Sequence, residues 1–103
     1  MCGIAGLFNF HTHKPVELES IKKMVSALNH RGPDECGFLI DRNFGMGMSR
    51  LSIIDLSSGS QPLHNEDKTK WIVFNGEIFN YPDIRNELLK SGHIFKTHTD
   101  TEV

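Results

Sequence analysis

The stretch MCGIAGLF (residues 1–8) decides the reading of the chain. Cys2 is followed by Gly3 and Gly6 and otherwise only by apolar residues. A continuous apolar run of this length predicts a strand covered on both faces. A thiol at the head of such a strand has two readings. Free cysteine commonly behaves as a small buried hydrophobe. Alternatively, removal of Met1 leaves a thiol and a free α-amine on one residue; in model peptides an α-amine titrates near ~7.7–8.0 and a thiol near ~8.5. The amine can then take the thiol's proton, which unites nucleophile and base as in N-terminal threonine enzymes. Gly3 and Gly6 leave room for substrate and neighbouring backbone to approach.

Outward from this strand the hydrophobic period changes. In PVELESIKKMVSALNH (15–30), Leu18, Ile21, Val25 and Leu28 fall at helical spacing with Met24 on the flank, and Gly32 and Pro33 end the helix. CGFLI (36–40) and FGMGMSRLSIID (44–55), separated by Asp41-Arg42-Asn43, predict a hairpin of two strands. SSGSQPLHNEDK (57–68) is polar and turn-rich, a loop. KWIVFNGEIF (70–79) predicts another strand, and NYPDIRNELLKSG (80–92) a second helix. That helix has Asn80 as cap, Pro82 in the first turn, Ile84 and Leu88 as its buried stripe, and Gly92 at its close. HIFKTHTDTEV (93–103) predicts a strand that stops without cap or polar tail, so the chain reads as part of a longer one. More strands than helices, with both helices amphipathic, predict an α+β domain of sheet layers covered by helices.

At 103 residues the chain holds at most one domain, and 38% hydrophobic with 23% charged residues is ordinary soluble composition. A net charge of −2 argues against nucleic acid or an anionic membrane as partner. No run approaches the ~18 apolar residues of a membrane span, and no basic segment precedes CGIAGLF to make it a signal peptide. Cys2 and Cys36 are read as reduced thiols of a cytoplasmic protein, Cys36 as a packed one. His11 and His13 lack Cys or His partners at metal-ligand spacing, so no metal site is predicted.

Other residues shift the reading of Cys2 towards chemistry. Asn75 and Gly76 close an apolar strand, where an amide NH2 beside an unobstructed backbone N–H can cradle an oxyanion. Asn-Gly is also a common hairpin corner, but here Glu77 adds a carboxylate and a helix follows. Arg50, among apolar neighbours, needs an anionic partner, either a substrate carboxylate or a structural one such as Asp55 or Asp34. Asp100 can take a substrate ammonium or simply cap a turn. One carboxylate, one ammonium and an acyl carbon for a thiolate describe an α-amino acid with a side-chain amide.

MCGIAG (1–6), HRGPD (30–34), RLSIIDL (50–56), QPL (61–63), FNGEIFNY (74–81) and TDTEV (99–103) occur in an order that resembles class II, N-terminal-nucleophile glutamine amidotransferases. The resemblance covers essentially the whole chain and is greatest to the glutaminase domain of glutamine-hydrolysing asparagine synthetases. It implies a layered α-β-β-α sandwich of the Ntn-hydrolase kind, with residues 1–103 as the N-terminal portion of that domain. It implies that Cys2 attacks the amide carbon of L-glutamine with its own amine as base, and that Asn75 and Gly76 form the oxyanion hole. Arg50 would grip the α-carboxylate. Asp100, assisted by Glu77, would hold the α-ammonium. The backbone of Leu51, Ser52, Ile53 and Ile54 would line the pocket, and Arg31 and Asp34 would support it, although RGPD also suits an ordinary surface loop.

The resemblance further implies that ammonia travels to a synthetase domain, absent from this chain, where ATP and Mg2+ activate aspartate. No cofactor is expected in the chain itself. Its other implied partner is that synthetase domain or a homologous partner chain. Met48 and Ser49 stand where relatives commonly carry basic residues, Phe79 stands where Tyr is usual, and the family's glutaminase domain continues past Val103. Two alternatives follow: a non-catalytic fragment, or an amidotransferase front end serving another acceptor.

Overall fold

Two glycines in the central strand set how the first layer assembles. The structure, a computed structural model, describes residues 2–51 and 60–103. Strands β1 (Gly3–Phe8), β2 (Glu35–Asp41) and β3 (Phe44–Arg50) form an antiparallel sheet in the order β1-β3-β2. β2 and β3 are the expected hairpin, with Arg42 at its turn in the left-handed region at φ 51°. Gly47 stands between Ala5 and Phe38, and Gly45 between Leu7 and Ile40. Helix α1 (Leu18–Ala27) lies on this face. A Cβ on Gly47 would meet Val25 Cγ2 at 2.5 Å, and one on Gly45 would meet Val16 Cγ1 at 2.8 Å. Only glycine admits the helix so closely.

Ala5, Val16, Ile21 and Val25 are buried together, with Leu28, Phe38 and Ile40 packed against them. Full burial of a side chain such as Ile21 contributes about 1.5–3 kcal/mol. The helical spacing of Ile21 and Val25 therefore builds the core. Leu18 begins the helix largely exposed, and Leu28 lies just past its end.

Coverage on one face only is the first correction. Ile4 is 45% and Phe8 57% exposed, because among the described residues β1 is an outer strand with α1 over one side. Cys36 is exposed rather than packed. β2 contributes Phe38 and Ile40 to the core, and Cys36 falls outside that cluster.

Beyond Arg50 the chain leaves the sheet at Leu51, and the predicted continuation over 52–55 lies outside the described residues, as do 57–59 of the predicted loop. Within that loop β4 (Leu63–His64) pairs with β5 (Trp71–Ile72) in a two-residue ladder. The strand predicted over 70–79 ends there. The Phe74 N–H goes to Gln61 Oε1 at 2.6 Å, so a side chain takes a donor that a ladder would need.

Helix α2 (Tyr81–Lys90) forms as predicted, with Pro82 in its first turn and Gly92 at φ 95° beyond its end. Asn80 contributes its backbone carbonyl to the Asp83 and Ile84 N–H groups instead of a side-chain cap. Ile84 and Leu88 are half-buried. The final strand does not form. Glu102 captures the Lys96 and Thr97 N–H groups, and Asp100–Glu102 closes as a 3-10 turn. The result is a mixed α/β arrangement of two helices and two sheets. No helix among the described residues is long and apolar enough to cross a membrane.

Candidate active site

Cys2 enters β1, half-buried, and its carbonyl oxygen collects two distant side chains. Arg31 Nε donates to it at 3.2 Å across 29 residues, and Asn75 Nδ2 at 3.3 Å across 73. Arg31 is delivered by the turn that follows α1, where its N–H bonds the Leu28 carbonyl at 2.9 Å. That turn is sewn to the end of β3. Ser49, fully buried, donates its hydroxyl to the Gly32 carbonyl, and the Asp34 N–H bonds the Arg50 carbonyl at 3.1 Å. A Cβ on Gly32 would stand 2.6–2.7 Å from backbone atoms of Arg50, Leu51 and Ser49. The RGPD segment is therefore a packed joint at Gly32, with Pro33 and Asp34 exposed. Sequence reasoning gave Arg31 only a supporting place; the structure puts it in contact with Cys2.

Met48 and Ser49 are both buried in the sheet. Gly3 pairs with Ser49, so Cys2 and Arg50 are the next residue on each strand. Arg50 Nη1 lies 3.7 Å from Glu35 Oε2, and Ser60 Oγ donates to Glu35 Oε1 at 2.7 Å. Glu35 is thus an anionic partner of Arg50 that the sequence reading missed, although β2 pairs it directly with Arg50. Leu51 is half-buried beside it. Ser52, Ile53, Ile54 and Asp55 lie outside the described residues.

The Asn75–Gly76 turn is anchored on both sides. Before it, buried Gln61 holds the Phe74 N–H. After it, Asp100 Oδ2 accepts the Ile78 N–H at 2.8 Å. A Cβ on Gly76 would meet the Phe74 ring at 2.8 Å, so the bare glycine keeps the turn tight. Asn75, Gly76 and Glu77 are exposed, and α2 follows, which sets aside the hairpin-corner alternative. Phe79 is 88% exposed.

The Glu102 carboxyl is held below its ordinary value. Burial alone would raise it, but hydrogen bonds from the Thr97 hydroxyl and from the Lys96 and Thr97 N–H groups, with Arg85 nearby, outweigh that effect. Among the described residues no three His, Cys, Asp or Glu side chains are grouped to hold a metal ion. Two clefts flank β4, lined in part by His64, Asn65 and Glu102, and neither is lined by Cys2, Arg50, Asn75 or Asp100. The arrangement therefore offers one thiol, two donors fixed on its residue's carbonyl, and charged groups of both signs on neighbouring elements.

A family profile described as a glutamine amidotransferase domain matches residues 1–103. The chain is 50% identical to asparagine synthetase (glutamine-hydrolysing) 1 of Bacillus subtilis (strain 168), over 100% of this chain and 17% of that protein. It is 42% identical to asparagine synthetase (glutamine-hydrolysing) 2 of Arabidopsis thaliana, over 100% of this chain and 18% of that protein. It is 39% identical to a probable asparagine synthetase (glutamine-hydrolysing) of Dictyostelium discoideum, over 99% of this chain and 18% of that protein. The chain thus spans less than a fifth of the length of each of these relatives.

Proposed function

The chain belongs to the glutamine amidotransferase domain family, and from that premise we propose that it hydrolyses the side-chain amide of L-glutamine through a thioester on Cys2. After removal of Met1, the Cys2 α-amine takes the thiol proton and the thiolate attacks the amide carbon. The oxyanion is held by Asn75 Nδ2 and the Gly76 N–H. An amide NH2 carries two donors, so Asn75 can keep its bond to the Cys2 carbonyl while offering the second proton to the oxyanion. The protonated amine returns its proton to the departing nitrogen, ammonia leaves, and water attacks the thioester to release glutamate and the thiol.

Arg50 binds the substrate α-carboxylate, and Asp100 its ammonium, with Glu77 alongside. Oδ2 of Asp100 accepts one backbone N–H, and a carboxylate has about four acceptor sites, which leaves capacity for the ammonium. Leu51, half-buried beside Arg50, lines the same pocket. Discrimination against glutamate and asparagine then comes from satisfying both substrate ends at fixed separation.

The observation that carries this reading is the meeting of Arg31 and Asn75 on the carbonyl of Cys2. These two bonds bring side chains from distant parts of the chain to the residue that bears the thiol. Exposed Ile4 and Phe8 on the far face of the first sheet support a second sheet layer above it, as in the α-β-β-α sandwich, with residues 1–103 its N-terminal portion. Free Cys2 and Cys36 suit a cytoplasmic protein. In this reading the ammonia serves a synthetase domain that converts aspartate to asparagine, and ATP and Mg2+ belong to that domain's residues.

The test combines glutamine turnover with mass spectrometry of the mature amino terminus and labelling by an electrophilic glutamine analogue. Turnover with a processed Cys2 that carries the label is expected, and Cys2→Ala is expected to abolish both without unfolding. Label on Cys36, or activity that persists with Met1 retained, overturns it.

A further inference from the structure

Glu102 spends its whole carboxylate inside its own loop. Oε1 accepts the Lys96 N–H at 2.7 Å, and Oε2 accepts the Thr97 N–H at 2.7 Å together with the Thr97 hydroxyl. Thr97 Oγ1 in turn lies 2.9 Å from Thr99 Oγ1 and accepts the Thr99 N–H at 3.3 Å. The segment 96–102 is therefore cross-braced around one half-buried carboxylate. Its lowered pKa, described above, fits a group held charged by these donors.

The brace is tied to α2 at one end. Arg85 Nη1 donates to the Thr97 carbonyl at 2.9 Å, and its guanidinium lies 4.5 Å over the Phe95 ring. At the other end Asp100 shares the 3-10 turn with Glu102 and grips the Ile78 N–H, two residues past Gly76. A continuous series of contacts thus runs from α2 through Arg85, Thr97 and Glu102 to Asp100 and the oxyanion turn. Glu102's own bonds all point into the loop.

We propose that Glu102 is a positioning residue that aims Asp100 at the substrate's ammonium, with Thr97 as the joint through which Arg85 and α2 fix it. This rests on the role given to Asp100 under the proposed function. The consequence is selective. Loss of the brace weakens recognition of a reagent that carries an α-ammonium and leaves the thiol's own reactivity alone.

Two alkylating reagents separate these effects. The diazoketone analogue of glutamine keeps the α-carboxylate and α-ammonium, whereas iodoacetamide has neither. Their second-order rates of Cys2 modification are compared by mass spectrometry in a Cys36→Ala background of the full chain. Glu102→Ala is expected to slow the diazoketone about 10–100-fold, the range of a hydrogen bond to a charged group, and to leave the iodoacetamide rate within about twofold on the same scale. Asp100→Asn serves as the reference for the reading beneath the proposal. If Asp100→Asn leaves the ratio of the two rates unchanged, the role of Asp100 fails and the proposal falls with it. If Asp100→Asn lowers the ratio and Glu102→Ala does not, or if Glu102→Ala slows both reagents equally while thermal melting shows it folded, positioning by Glu102 alone is refuted. Should Glu102→Ala fail to fold, Thr97→Val, which removes only the hydroxyl at the joint, carries the same comparison, and an unchanged ratio there overturns the proposal.

Discussion

The carbonyl oxygen of Cys2 and the side-chain amide of Asn75 are joined at 3.3 Å across 73 residues of chain. This bond fixes the Asn75 amide relative to Cys2, the nucleophile of the proposed reaction, before any substrate arrives. Donors set in place beforehand cost no reorganisation as charge develops. Replacing Asn75 with Ala is expected to lower kcat for glutamine about 10²–10³-fold, with KM changed far less. Steady-state kinetics check it, and a rise confined to KM would assign Asn75 to ground-state binding instead.

Arg31 shares that oxygen through Nε at 3.2 Å. Lysine preserves the charge but has no Nε at that place on a planar fork. Arg31→Lys is therefore expected to behave much as Arg31→Met does, each losing about 10–100-fold in kcat/KM. Equal kinetics for Arg31→Lys and the parent would show that charge alone is what the site uses.

Gly32 admits no side chain. The added Cβ would stand 2.6–2.7 Å from the Arg50, Leu51 and Ser49 backbone, and main chain cannot rotate away as a flexible side chain can. Gly32→Ala is expected to cost about 1–3 kcal/mol of stability, as overpacking commonly does, measured by urea denaturation. Because the same turn presents Arg31, activity should fall further than the loss of folded protein explains.

Acid should loosen the 96–102 segment. The folded pKa of Glu102 is depressed, since the Thr97 and Lys96 hydrogen bonds and Arg85 outweigh the opposing effect of burial. A depressed folded pKa gives stabilisation that is fully present above the unfolded value of ~4.3 and lost as pH falls through the folded value. Amide-exchange protection at Lys96 and Thr97, corrected for intrinsic rates, should drop on acidification below that point. In Glu102→Gln this pH dependence should flatten.

Periodicity carried the elements whose burial is local. Ile21 and Val25 occupy the inner face of α1 as their spacing predicts, the β2–β3 hairpin turns at Arg42, and Gly92 closes α2 with a positive φ. The final segment misled because HIFKTHT is rich in the strand-favouring residue types Ile, Phe and Thr, and nothing local announces that Glu102 will take its amide protons. The purpose of Gly45 and Gly47 is not legible in the sequence, since it needs the helix that lies across them. The candidate site divides in the same way. Cys2, Asn75 and Asp100 were legible as residue types suited to amide chemistry, and their roles came from the resemblance. The Arg31–Cys2 contact and the Glu35 partner of Arg50 depend on chain segments meeting in space.

The bare floor beneath α1 has a consequence for Cys2. Where the helix crosses Gly47, a single hydrogen separates Val25 from the strand backbone. The helix ends at Ala27, four residues before Arg31. One methyl group inserted below would push α1 off the sheet, and with it the turn that carries Arg31 to the Cys2 carbonyl.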